Sequence, residues 1–182
     1  GNLYNWQENY SKCFENIEKT VTICKEYNMR QFQSQRIVDL ADCHANLGLF
    51  DSAITYIDSA LPMLEEFDNI MAVGRSYLIK GRIMNDMGSF KEAVSCIKDS
   101  IEEFQMCDQN WLVLMGNIEL AIAYRCDGNH KNTEKALQKV FKIGRRLKGF
   151  DVYVLLAKLI QASFDKDKNP DDLFEKLIVY KK

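Results

Sequence analysis

Apolar residues along this chain recur in columns 40 residues apart. One column holds Tyr10, Phe50, Phe90 and His130, and the next holds Cys13, Ala53, Ala93 and Thr133. Ile17, Ile57, Ile97 and Leu137 follow, then Val21, Leu61, Ile101 and Phe141. Steps of 3, 4 and 4 separate these columns, which puts their side chains on one face of a helix. A unit of this length cannot bury its apolar face alone, so self-similarity at a fixed period implies stacked repeats.

Two further columns divide each unit. Ala41, Gly81 and Ala121 are small, which lets a partner helix approach closely. Gly48, Gly88 and Gly128 come next, and glycine enters the left-handed conformation that ends helices. The aromatic two residues later then opens a second, antiparallel helix. The pattern predicts first helices over 33–47, 70–87 and 110–127, with partners over 50–67, 90–106 and 130–148. Residues 5–27 fit the second helix of a hairpin whose first is missing, with Tyr10, Phe14, Ile17, Val21 and Cys24 as its stripe. Residues 150–164 form an apolar helix through Val152, Leu155, Leu156, Leu159 and Ile160. Asn169 caps a short final helix with Pro170 in its first turn. Leu173, Leu177 and Tyr180 keep the repeat columns there. Apart from Pro170, no proline is expected inside a helix. The organisation is a truncated hairpin (1–30), three full hairpins (31–149) and a degenerate fourth (150–182).

The order of a small residue, glycine, aromatic, alanine and apolar residue resembles the tetratricopeptide repeat. Ala41/Gly81/Ala121, Gly48/Gly88/Gly128, Phe50/Phe90 and Ala53/Ala93 carry the likeness over nearly the whole chain. The usual period is about 34 residues, so a step of 40 is similar to the long-helix variant. The resemblance implies an all-α, right-handed superhelical solenoid. It is specific for fold and leaves function open, since many partners use this scaffold. Lys80 and Asn117 depart from it, standing where the family prefers apolar residues, and Thr133 and His130 make the third hairpin the least regular.

In such solenoids the first helices line the concave face. This places Gln35, Asp39, Asp42 and Asn46, then Arg75, Ile79, Arg82 and Asp86, then Met115, Glu119, Ile122 and Arg125 along a groove. Arginine forks suit carboxylates and backbone carbonyls, so the groove is expected to take a peptide or a neighbouring domain. Pairing of Asp42 with Arg82 between adjacent repeats is the competing account. Some family members clamp a C-terminal carboxylate at fixed columns. Here those columns hold Val38, Asp42, Ile79, Met115 and Glu119, and the two acids exclude that mode. On the convex side, Lys131, Lys135, Lys139, Lys142 and Arg146 form a basic stripe, whereas the matching face of the first hairpin carries Asp51, Asp58 and Glu65. An anionic partner, head-to-tail self-association and a solvated face each fit that stripe.

Composition narrows the rest. A net charge of −2 argues against bulk nucleic-acid binding. No apolar run is long enough to span a membrane, and no signal peptide is visible. The chain opens on Gly1 within a hairpin, so it is expected to be a segment of a longer protein. The six cysteines lack metal-ligand or disulfide spacing and are expected to be reduced, small, mostly buried residues in a cytoplasmic protein. Trp6, Trp111, His44 and His130 fit packing or boundary roles. No nucleophile motif or phosphate loop occurs, and adjacent pairs such as Glu65/Glu66 project apart on a helix. The expectation is a non-catalytic regulatory, sensor or scaffolding module without a cofactor. Its partner is a protein, a peptide or its own output domain. A small-molecule sensor using Arg75 and Arg82, or a dimerisation module using Tyr10, Phe14 and Ile17, are the alternatives.

Overall fold

Each of the first six helices of this chain stops at a residue with positive φ. These residues are Asn28, Gly48, Asp68, Gly88, Asp108 and Gly128, a step of 20. Glycine serves where a first helix ends and Asn or Asp where a second helix ends, the residue types that tolerate this conformation. All six turns close the same way. At the first glycine, the Leu49 N–H donates to the His44 carbonyl and the Gly48 N–H to Ala45, at 2.9 and 3.0 Å. This satisfies carbonyls that the helix end leaves open. At an acidic turn, the Asn69 N–H donates to Leu64 and the Asp68 N–H to Glu65, at 2.9 and 3.1 Å.

Between these stops the computed structural model places α1 (Asn2–Glu26), α2 (Arg30–Asn46), α3 (Phe50–Glu66), α4 (Ile70–Asp86), α5 (Phe90–Met106), α6 (Asn110–Cys126), α7 (His130–Gly144) and α8 (Asp151–Ala162). It describes residues 2–147, 149 and 151–162, with side chains from residue 12 onward except those of 13 and 152. Helices α2 to α6 are each 17 residues long. Phe50, Phe90 and His130 open second helices as expected. The expected α7 is too long, because its helix ends at Gly144 and a longer connection leads to α8. The expected helix after Asn169, with Leu173, Leu177 and Tyr180, lies outside the described residues, as do Lys148 and the side chains of Trp6, Tyr10, Cys13 and Val152.

The helices pack as consecutive hairpins, each against its sequence neighbours. Members of the row α2–α4–α6–α8 also touch one another, whereas consecutive members of α3–α5–α7 do not. Two cores result. One joins α2, α3 and the near side of α4 through Val38, Ala41, Ile57, Leu64, Ile79 and Ile83. The other runs from Leu78 of α4 through Ile97, Phe104, Leu114, Leu137 and Val140 to Ala157 and Ile160 of α8. Each fully buried Val, Leu, Ile or Phe side chain among them contributes about 1.5–3 kcal/mol. The small columns set the spacing. A Cβ on Gly81 would lie 2.5 Å from Ile97 Cγ1, and one on Gly116 would lie 2.6 Å from Ile101 Cγ1. Helix α5 therefore sits tightly against both α4 and α6.

Three expectations need correction. Pro62 lies inside α3, where it removes a backbone bond to the Asp58 carbonyl. It is tolerated at an exposed position, with Asp58 one turn earlier exposed as well. Among described cysteines only Cys24 is buried. Cys126 is exposed, because it falls in the last turn of α6 at the edge of the array. Trp111 is also 41% exposed beside the first turn of α6 instead of packing into a neighbouring hairpin. Among the described residues no helix is long and apolar enough to cross a membrane.

The two kinds of left-handed stop separate in a stability measurement. Nothing lies within 4 Å of a Cβ built on Gly88, so Gly88→Ala is opposed by backbone conformation alone. It should cost roughly 1–2 kcal/mol in denaturant unfolding, whereas Asp108→Gly should be neutral or stabilising.

Candidate functional site

The expected groove residues fall on the row α2–α4–α6, and Asp39, Asp42, Asn46, Arg75 and Arg82 are already paired between helices. Arg75 of α4 donates to Asp39 of α2 at 3.0 Å, and Asp39 also meets Arg36 at 2.9 Å. Arg82 donates to Asp42 at 3.3 Å and to the Asn46 side-chain carbonyl at 2.9 Å. On its other side the Arg82 guanidinium draws down the carboxyl of Glu119 of α6, a smaller effect than the burial that raises it. Arg82 thus links α2, α4 and α6 through charge. Half-exposed pairs of this kind each contribute about 0–1 kcal/mol. Asp86 is exposed near Glu119, and Arg125 is exposed in the last turn of α6, where a cation complements the helix dipole. Ile79 is the residue that the row does not present: it is 4% exposed and belongs to the core. The α-helical period turns position 79 toward α2 and α3.

Lys131, Lys135, Lys139, Lys142 and Arg146 are all exposed on or just beyond α7. On α3, Asp51, Asp58 and Glu65 are exposed as well, with Asp58 accepting from Lys80 Nζ at 2.9 Å. That bond accounts for the lysine at an apolar column.

Asn117, the second departure, has no such resolution. It is 1% exposed, and its Nδ2 donates to the Val113 carbonyl at 2.7 Å. Its Oδ1 has no hydrogen-bond partner. Leaving a buried acceptor unpaired costs about 1–3 kcal/mol, so this position is not set by stability. Asn117 lies under a cleft between α5, α6 and α7. One lobe, of about 460 Å³, lies toward Arg146, Lys142 and Ile143. The other, of about 330 Å³, lies toward Lys135, Tyr124 and Lys98. Gln105, Asn117 and Lys139 line both.

The same column one repeat earlier holds Tyr77, which is half-buried and packs against the α2–α3–α4 core. Burial, and after it the carboxylates of Glu65, Asp99 and Glu103, raise the Tyr77 phenol above its ordinary value. The space between α3 and α5 is therefore occupied by an aromatic ring among acids. Between α5 and α7 a short amide leaves room, and the wall is basic. Sequence reasoning marked Asn117 as irregular and Lys139, Lys142 and Arg146 as a stripe. It did not join them, because they stand on different helices 22 or more residues apart.

Elsewhere His44 stacks between Phe14 and Tyr56 at centroid distances of 5.2 and 5.0 Å, a packing role. Arg30 grips Glu66 with two bonds of 2.8 Å, tying the start of α2 to the end of α3, a contact with no signal in the repeat. The chain matches no protein-family model, and no curated protein is significantly similar to it.

Two outcomes follow. Asn117→Leu should stabilise the fold by roughly 1–2 kcal/mol in denaturant unfolding, because it removes the unpaired acceptor and retains apolar bulk. Glu119 has its carboxyl raised, by burial first and then by Asp86. Above that raised value the folded chain carries an unfavourable charge. As pH falls through it, the folded chain takes up a proton that the unfolded chain does not, and the penalty lifts. Glu119→Gln should therefore raise the thermal midpoint at pH 7, and the gain should shrink on acidification toward the ordinary value of 4.5.

Proposed function

We propose that this chain is a non-catalytic interaction module, the regulatory, sensor or scaffolding region of a larger intracellular protein, and that it binds a peptide or protein. In this reading the hairpin array is a long-helix tetratricopeptide-type superhelix. The hairpin lengths, the small–glycine–aromatic order and the Arg82-linked inner row support it.

One observation carries the binding reading. Every turn from a second helix to the next first helix lies at the same edge of the array. That edge exposes Tyr27, Met29, Met71, Met106 and Trp111, at 73, 42, 45, 69 and 41%. The opposite edge exposes Leu47, Leu49 and Met87, but the exposed aromatics Tyr27, Phe32 and Trp111 all lie at the first edge, and Trp and Tyr are the usual anchors of contact surfaces. The Arg75 and Arg82 forks are spent on Asp39, Asp42 and Asn46, which favours this edge over an anion sensor in the row α2–α4–α6.

A random-peptide display selection against the folded chain tests the reading. It should enrich a recurring sequence whose affinity drops about tenfold or more with Trp111→Ala. Enrichment no greater than that on an unrelated helical protein, together with unchanged activity of the parent protein when this region is deleted, contradicts it.

A further inference from the structure

We propose that the cleft between α5 and α7 binds an extended acidic peptide segment bearing one apolar anchor. The proposal rests on the interaction reading above and names the class of partner.

Four observations converge. The first is the unpaired Asn117 Oδ1 at the junction of the two lobes. Because Nδ2 is committed to Val113, the free atom is an acceptor and calls for an N–H or O–H donor. A peptide backbone supplies one; an ionised carboxylate or a bare inorganic anion does not. Gln105 and Lys139, both exposed, line both lobes with Asn117.

The second is charge. Lys135, Lys139, Lys142 and Arg146 wall the cleft from α7, with Lys98 facing them from α5 and Glu102 as the opposing acid. From Lys135 to Lys142 the helix rises about 10 Å, with Arg146 just beyond its end. Three residues of extended chain cover about the same length. The third is the lining by Ile101, Val113, Leu120 and Ile143, which gives an apolar side chain a place beneath the charged rim. The fourth is the comparison inside the chain. The matching cleft between α3 and α5 is filled by Tyr77 and surrounded by acids, so the fold itself does not require the opening.

The test uses two altered chains, each compared with wild type by circular dichroism before use. Asn117→Tyr copies the residue of the preceding repeat and fills the cleft. Lys139→Glu with Lys142→Glu reverses the wall at exposed positions. Dodecapeptides selected from a random display library are labelled and titrated by fluorescence anisotropy. The proposal expects selected sequences to be acidic with an apolar residue among the acids. Their affinity should fall at least about tenfold in each altered chain, and by a similar factor between about 50 and about 500 mM salt.

Acidic peptides that bind both altered chains as tightly as wild type overturn the proposal. Selected peptides that are not acidic but still need Trp111 overturn it as well, and leave the interaction reading intact. An empty selection overturns this proposal, and the interaction reading falls with it when deletion of the region also leaves the parent's activity unchanged. A single-stranded oligonucleotide that binds the cleft more tightly than any acidic peptide also overturns it. If Asn117→Tyr fails to fold, the charge-reversed chain decides alone, since its changes are at exposed positions.

Discussion

The left-handed residue at every twentieth position is the constraint on which this molecule depends. It stops each of α1 to α6, gives α2 to α6 the same number of turns, and turns the chain back with the same pair of backbone hydrogen bonds. Equal helix lengths follow, and with them the vertical alignment of the apolar columns. Only then do the small residues at 41, 81 and 121 come to face the second helix of their own hairpin, so that α5 can press against α4 at Gly81. A repeat with unequal helices would bring large residues to those crossings.

Stability in such an array is local. Each hairpin rests on its neighbours, and α4 joins the two cores by giving Leu78 to one and Ile79 and Ile83 to the other. Columns that carry these contacts must repeat. The column at 37, 77 and 117 lies at the margin of these contacts and varies, with isoleucine and tyrosine packed against one core and asparagine buried beside the other. The side chain at this column decides whether the space between consecutive second helices is filled or open, and α3, α5 and α7 give that space an acidic or a basic wall. Arg82 shows the opposite use of charge, consumed in holding one row of helices together.

Much of the fold was legible in the sequence. Glycine at 48, 88 and 128 and the aromatics two residues later are unambiguous because few other residues do their work. Asn28, Asp68 and Asp108 were not legible as stops, since Asn and Asp are common on helix surfaces and only the backbone shows which ones enter the left-handed region. Pro62 inside α3 is not legible either, because an exposed position can lose one helical bond to water. The site was legible only in pieces. Asp42 and Arg82 could be paired by their step of 40 residues, but Asn117 and the basic stripe meet only once three helices are packed. Burial at Ile79 and exposure at Trp111 likewise depend on how a neighbour is rotated, which a one-dimensional pattern does not record.

The central claim is that the repeat columns carry the fold while the variable column at 117 carries recognition. Methyl-resolved NMR of the labelled chain, titrated with a selected acidic peptide, measures this directly. The account predicts shifts centred on Ile101, Val113, Leu120 and Ile143 around the cleft. Shifts centred instead on Val38, Ile79 and Ile83, beside the Arg75 and Arg82 row, would contradict it.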